Sequence, residues 1–524
     1  MKQYSSIFND VLGPVMCGPS SSHTACAVRI GRTLRQMLDG EIKTLIAEFE
    51  PKGSLATTYH SQGSDIGLVA GLLGMEPDDS RISRSIAIAK EMGIHMEFNI
   101  VEYPATHPNT YRMTLENKNG NKVHATALSV GGGMLEFTEV EIFPVLMTGG
   151  FYETLVFLTD IKDDEMSRIG KALKESLEEP GKIESQQKEG KGFFEITTEK
   201  IIKKEALLSV LKGYKVEKVM WIEPCLPIAS QHEPKVPFHN GEELITYAEK
   251  QGYEIWQAAQ KYESVRGNIS EKETYEKMRN LVGIMKKSLE FGLTGTSYEK
   301  RILGCQSKYM SDVEKTNRLI PSEMVNEIIR CISAIMETKS SMGVFVAAPT
   351  AGSCGGLPGT VIGVARQLKL SDDQIIKAMF AAGIVGVFIS EESTFAAEVA
   401  GCQAECGAGS GLTGAALVQL MNGTAKEALN AASMSLQNIL GMACDPVAMA
   451  VEVPCLGKNI MCGLNAFCSA NMALAGFNVV IPLDETIQAY DKVGRMIPSE
   501  LRCTGAEGLS VTKSSKKIQK WLYE

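Results

Sequence analysis

Much that would make a 524-residue chain easy to place is absent here. There is no P-loop, no HExxH and no C-x-x-C, which excludes three common signatures of phosphate, zinc and dithiol chemistry. Basic excess is absent too. Against 62 Asp and Glu stand 53 Lys and Arg, a net charge of −9, so neither nucleic acid nor a membrane is an expected partner. The opening MKQYSSIFNDVLGPVMCGPS holds no long apolar run and carries Asp10, so no export signal and a cytoplasmic location are expected. Aromatics make up only 6% and histidines number seven, which keeps the list of proton-transfer candidates short. Charge is missing altogether from Ser341–Ala365 and Ile460–Leu483, each long enough to mimic a membrane span. Yet the first holds Pro349, Pro358 and six glycines, and the second three asparagines with Gly463, Gly476 and Pro482. Lipid would leave such groups poorly satisfied, and a buried helical core is the better reading.

What is present is a globular composition, 44% apolar, with length enough for two to four domains. Three regions are expected, making a multidomain chain. Residues 1–145 mix strand-like runs (44–49, 96–103, 111–115) with helical ones, an α/β (α+β) pattern that passes through the glycine turn Gly131-Gly132-Gly133. Residues 150–226 read β-α-β-β-α-β, with strands at 153–159, 182–187, 192–197 and 216–222 and helices at 164–177 and 204–211, the order of a ferredoxin-like domain. A polar linker bearing Pro227 and Pro237 leads to residues 240–524, which read as all-α. Gly409-Ser410-Gly411-Leu412-Thr413-Gly414 spells a dinucleotide fingerprint, but no strand precedes it, and close helix packing explains it better.

The thirteen cysteines are the outlier. They are odd in number and too sparse for a disulfide scaffold, and without export they stay reduced. Seven follow position 400. Cys402 lies in GCQAECG, Cys444 in ACDPV and Cys455 in VEVPCLGKN. Proline beside the last two favours a helix end or turn, where unpaired N–H groups stabilise a thiolate. The competing explanation is that buried cysteine is a small hydrophobe, and it suffices for Cys331, Cys462 and Cys468. Spacing alone does not separate the two explanations for the other three.

GCQAECG, CDPV and VPC, with 41 residues between the first two cysteines and ten between the last two, resemble the α-chain of iron–sulfur L-serine dehydratases. MGVFVAAPTAGSCGGLPG at 342–359 resembles that family's APT-x-G segment. CGPSSSHTA at 17–25, GSLATTYHSQGSD, THPNT and SVGGG resemble its β-chain. The chain therefore looks like a β–α fusion, and the 150–226 module resembles the ACT-type domain that some members carry. The resemblance implies a 4Fe-4S cluster held by Cys402, Cys444 and Cys455, a small amino acid as substrate, and a homodimer. Three cysteines leave one iron open, able to act as a Lewis acid on a substrate hydroxyl. Some members end in a cysteine that occupies this iron. Cys503, in RCTGAEGL, stands where it could do so, or is an ordinary tail cysteine, while Cys354 and Cys406 read as spectators.

The substrate's charged ends need a receptor. Ser20, Ser21, Ser22, His23 and Thr24 precede an amphipathic helix expected from Thr24 to about Leu38, and gather N–H groups, hydroxyls and an imidazole. Helix capping by Ser22 or Thr24 is the plain alternative, which the resemblance outweighs. Thr350, Gly352 and Ser353 offer similar groups from the helical domain, or form a packing turn. Among the histidines, His23, His60 and His107 lie in family-like motifs, with His60 the preferred base and Asn109 a further polar contact. The remaining four read as surface or core residues. The family pattern near His60 is GHGTD, whereas this chain has Tyr59-His60-Ser61-Gln62-Gly63-Ser64-Asp65. Either two residues are inserted after His60, or Gln62 takes the histidine's place. The expected reaction is β-elimination from L-serine to pyruvate and ammonia. Alternatives are the same elimination from L-threonine or L-cysteine, or a non-catalytic redox sensor.

Overall fold

The computed structural model describes residues 4–176, 181–314, 316 and 318–523. Its first sheet has six strands in the order His95–Ile100, Ile42–Phe49, Thr110–Asn117, Lys122–Gly131, Met134–Val140 and Phe143–Met147. Only the first pair is parallel. Ile42, Leu45, Ala47 and Phe49 turn one face of their strand inward. The helices Cys26–Gln36 and Ser64–Leu72 join the same region and touch backbone to backbone. A Cβ on Gly31 would stand 2.3 Å from the Leu68 carbonyl oxygen, and one on Gly71 2.1 Å from that of Val28. The expected helix from Thr24 to Leu38 differs at its start. Residues Ser21–Ala25 form a wider π-type turn, and the cap is Ser20, whose Oγ accepts from the His23 N–H at 3.2 Å, rather than Ser22 or Thr24.

The second sheet holds Val216–Ile222, Tyr152–Thr159, Lys191–Thr198 and Lys182–Lys188, all antiparallel, the 4-1-3-2 order of a ferredoxin-like unit. Its helices are Asp163–Ser176 and Lys204–Val210, and the expected last residue of the first, Leu177, lies outside the described residues. Strand alternation gives the sheet two apolar faces. Val156, Leu158, Phe194 and Ile196 meet the helices. Leu155, Phe157, Phe193, Met220 and Ile222 meet the six-stranded sheet, where Phe193 stacks on Phe143 with centroids 4.7 Å apart.

From Gly241 onward the chain is helical apart from the two-residue strand Phe345–Val346. Cys406–Leu420 is buried at every position and holds the whole GSGLTG run. A Cβ on Gly414 would meet the Ala431 carbonyl oxygen at 3.0 Å, so these glycines serve helix packing. Asp372–Glu392 has the length and hydropathy of a membrane span, but 78% of its apolar window is buried within the protein. Residues 7–16 belong to this helical core although the sequence attaches them to the first region. Ile7 and Val11 fill the space over Gly383 and Gly386, and Ser6 Oγ and the Ile7 N–H donate to Glu263 at 2.5 and 2.7 Å. Val15–Met16 then pairs antiparallel with Phe345–Val346. That pairing delivers the Ser20–Thr24 turn to the helical region.

Candidate active site

Two polar turns meet where the regions join. Ser21 Oγ accepts from the Ala351 N–H at 3.2 Å, which ties the Ser20–Thr24 turn to the Thr350–Ser353 turn. Behind them the Gly131-Gly132-Gly133 turn closes in, and a Cβ on Gly131 would fall 2.7 Å from the Ala396 nitrogen. Ser22 is held through its carbonyl by Ser129 Oγ at 2.7 Å, and Thr24 Oγ1 donates to the Gln62 carbonyl at 2.8 Å. His23 is fully buried between Ser20 Oγ at Nδ1, 3.1 Å, and Thr58 Oγ1 at Nε2, 2.7 Å. Burial pushes its pKa down to about 3, so this imidazole is neutral.

On the helical side Thr350 Oγ1 donates to Glu405 Oε1 at 2.6 Å, and the missing Cβ of Gly352 lets that carboxylate approach. Ser353 Oγ donates to the Ala348 carbonyl at 3.2 Å. Burial, and then the neighbouring Cys402, raise Glu405 to about 8. Glu398 Oε1 stands 3.7 Å from His23 Nδ1. Among the described residues, Glu398 Oε2 and both amide atoms of Asn109 are buried without a hydrogen-bond partner, the Asn109 amide lying beside the carboxylate outside hydrogen-bond geometry.

The cysteines lie under these turns. Cys402 opens the short helix Cys402–Ala404, and Cys455 opens the helix Cys455–Leu474 behind Pro454. Cys444 sits in a bridge with the tail, its N–H donating to the Leu501 carbonyl at 2.8 Å and its carbonyl accepting from Cys503 at 2.9 Å. All four are buried. Cys402, Cys406, Cys444, Cys462 and Cys503 form one apolar cluster, while Cys455 joins the adjoining helical core. A hydrogen bond from Cys406, helped by the Lys458 charge, holds the Cys402 thiol below its ordinary value against the effect of burial. Hydrogen bonding with Cys503 and burial raise Cys444, and burial with the Cys402 charge raises Cys455. Burial works against the Lys458 ammonium, yet Cys402, Cys444, Asp445 and Cys455 together raise it. Lys458 thus lies within electrostatic reach of all three thiols, its Nζ fixed by the Ala443 carbonyl at 2.6 Å and Asp445 at 3.2 Å.

Among the described residues no three His, Cys, Asp or Glu side chains converge at single-ion spacing. A cubane cluster demands something else. Each cysteine binds a different iron, so the sulfurs surround a box rather than one point. Three buried thiols, two of them opening helices, with one lysine balancing their charge, fit such a group.

The structure sorts the expected residues. Ser20 to Thr24, Thr350 to Ser353, Asn109 and the four cysteines share one neighbourhood. His60 does not join the sulfurs. Its side chain is 65% exposed, with Nδ1 2.6 Å from Asp65, at the rim of a cavity. Gln62 is the buried one, its Nε2 3.5 Å from Cys503 Sγ and 3.4 Å from the Met449 carbonyl. Of the two alignments, the ungapped one matches this placement. His107 lies apart, its Nδ1 accepting from the Asn109 N–H at 3.1 Å, and burial lowers it to about 4. Cys462 is among the clustered thiols, and Cys468 is exposed rather than core. Sequence reading missed Glu398, Glu405, Lys458 and Asn459. Asn459 Nδ2 donates to the Gly352 and Cys455 carbonyls, each at 2.8 Å. Three of the four were within reach, since Glu405 lies inside GCQAECG and Lys458 and Asn459 follow Cys455 by three and four on one helix face.

Comparison with known proteins agrees with this layout. A family model described as serine dehydratase alpha chain matches residues 250–510, and one described as serine dehydratase beta chain matches residues 10–100. The chain is 32% identical over 286 residues to the probable L-serine dehydratase alpha chain of Bacillus subtilis (strain 168), covering 55% of this chain and 95% of that one. It is 40% identical over 158 residues to the probable beta chain of the same organism, covering 30% and 70%. With L-serine dehydratase 1 of Escherichia coli (strain K12) it shares 25% over 289 residues, covering 52% and 62%. The chain belongs to the serine dehydratase family, with the beta-chain and alpha-chain parts fused in one polypeptide.

Proposed function

We propose that this chain is an L-serine ammonia-lyase that converts L-serine to pyruvate and ammonia by β-elimination at a 4Fe-4S cluster held by Cys402, Cys444 and Cys455. The observation that carries the reading is the seating of three buried thiols, balanced by Lys458, beneath the turn that joins Ser21 to Ala351. When bound, the cluster supplies an open iron that polarises the substrate hydroxyl and eases its departure.

The chain's own residues do the rest. Ser20 to Thr24 and Thr350 to Ser353 bring hydroxyls and N–H groups from both parts to the seam, so the site is complete only when the two parts are docked. His23, kept neutral, orients the Ser20 and Thr58 hydroxyls. Asp65 accepts a hydrogen bond from Nδ1–H of His60, which leaves Nε2 free to accept the Cα proton of a substrate in the cavity. Loss of that proton and of the β-hydroxyl gives aminoacrylate and water. Tautomerisation and hydrolysis then return the water and release pyruvate and ammonia. Cys503, paired through the backbone with Cys444, would be the residue to approach the open iron. We read the 150–226 module as ACT type on its strand order, and the working form as a cytoplasmic homodimer.

The test is anaerobic cluster reconstitution followed by assay of pyruvate or 2-oxobutyrate and of ammonia from L-serine, L-threonine and L-cysteine. Turnover of L-serine is expected. A fully loaded protein that turns over none of the three overturns the lyase reading.

A further inference from the structure

A cavity of about 230 Å³ opens beside the seam, between His60 on one part and Lys339 and Glu452 on the other, with Tyr298, Lys300 and Tyr523 at its sides. Lys339 is the unusual member. Its residue is 1% exposed, and it sits on the inner face of the helix Glu323–Ser340. A buried ammonium normally faces a carboxylate, because an unpaired charge away from water costs several kcal/mol. Lys339 has none. Among the described residues no carboxylate lies within ion-pair distance, and Nζ donates to the Val451 carbonyl alone.

Among the described residues, none on the cavity wall is free to supply that charge. Glu452, the one acidic side chain on the cavity wall, is committed to the Ile302 and Leu303 N–H groups, both at 2.9 Å. A second lysine, Lys300, shares the wall. The cavity is therefore built for an anion. Lys339 links the cavity to the segment that carries Cys455, since its partner Val451 lies four residues before that cysteine.

We propose that Lys339 is a substrate-binding residue whose ammonium receives the α-carboxylate of the amino acid entering through this cavity. This deepens the lyase reading and rests on it. A small amino acid bound there has its carboxylate anchored on the helical part while its Cα can face the His60 imidazole across the same space. The pairing also defines a substrate class: a free carboxylate is required, and amides or amines lacking it are excluded.

The test uses the cluster-loaded full chain with two probes, 3-hydroxypropionate, which keeps the carboxylate and hydroxyl of serine, and ethanolamine, which keeps the amine and hydroxyl. Binding is read by calorimetric titration and by competition with L-serine. The wild type should bind 3-hydroxypropionate and not ethanolamine. Lys339→Met should weaken 3-hydroxypropionate binding and raise the KM for L-serine by roughly tenfold or more, the worth of a charge-assisted hydrogen bond, with cluster absorption unchanged. Lys339→Arg should retain most of the affinity. Unchanged affinity in Lys339→Met overturns the assignment, and so does wild-type ethanolamine binding as tight as that of 3-hydroxypropionate, a result that needs no variant to fold. A wild type that binds 3-hydroxypropionate through Lys339 yet turns over no amino acid would overturn the lyase reading alone.

Discussion

At the scale of single residues, the thirteen cysteines divide by what surrounds the sulfur. Cys444 and Cys455 feel the Lys458 charge, whereas Cys331 lies in the helical core with Glu327 at 3.3 Å. Cys444→Ala and Cys455→Ala should each lose cluster absorption and turnover together, and Cys331→Ala should keep both while losing about 1 kcal/mol of stability. Iron content and activity measured on the same samples check this. His60 gives a pH prediction. The Asp65 hydrogen bond raises its pKa above 6.5, so the base form is lost as pH falls through that raised value. kcat/KM should therefore decline on acidification with a midpoint above 6.5, and Asp65→Asn should move the midpoint to lower pH. His23 acts on stability in a different window. Folded, it stays neutral down to about pH 3, while the unfolded chain binds a proton near 6.5. Its contribution is whole above pH 6.5 and shrinks as pH falls towards 3, by at most about 1.4 kcal/mol per pH unit. Urea titrations of wild type and His23→Gln across that range should differ in slope.

At the scale of elements, the helix pair Cys26–Gln36 and Ser64–Leu72 sets where the Ser20–Thr24 turn and the Tyr59–Asp65 loop stand relative to each other. The crossing depends on Gly31 and Gly71, whose absent side chains admit the facing carbonyls. Gly71→Ala should cost about 1–3 kcal/mol by overpacking, seen as a lower denaturation midpoint. The first helix was legible from its amphipathic pattern, as were the four strands of the second sheet to within a residue or two; Ser64–Leu72, buried at nearly every position, carries no such period. The π-type turn at Ser21–Ala25 was not, because serine, histidine and threonine allow either a regular first turn or a wider one. What chooses between them is tertiary: Ser129 and Gln62 hold the backbone and Thr24 from outside the segment.

At the scale of the molecule, two features bind regions that the sequence separates. The second sheet turns Leu155, Phe157 and Phe193 onto the first, so the ferredoxin-like module is a wall of the N-terminal core rather than a tethered appendage. Phe193→Ala should cost about 3–5 kcal/mol and lower the melting temperature of the whole N-terminal half, measured by calorimetry. Excision of the module would expose the same face, so its regulatory role is better tested by ligands than by deletion. Residues 7–16 are the second tie, crossing from the beta-chain part into the helical core. They explain how one polypeptide, or two, can build a site at a seam: the arm brings the receptor turn with it.

The sequence by itself determined the mixed α/β character of the N-terminal part, the helical character of the C-terminal part, the small set of chemistry-bearing side chains and the family resemblance. Those follow from composition, periodicity and motif spacing, all local quantities. Only the tertiary structure decided that Gln62 rather than His60 lies beside Cys503, that the Lys458 charge reaches Cys402 as well as its helix neighbour Cys455, and that Lys339 is buried with no carboxylate at ion-pair distance among the described residues. Each depends on residues dozens to hundreds of positions apart, and a buried charge or an unmet polar atom has no signature until the surroundings that exclude water are assembled. The thirteen cysteines were countable from the start. Which of them share one dry pocket was fixed by the packing of helices whose own sequences say only that they are apolar.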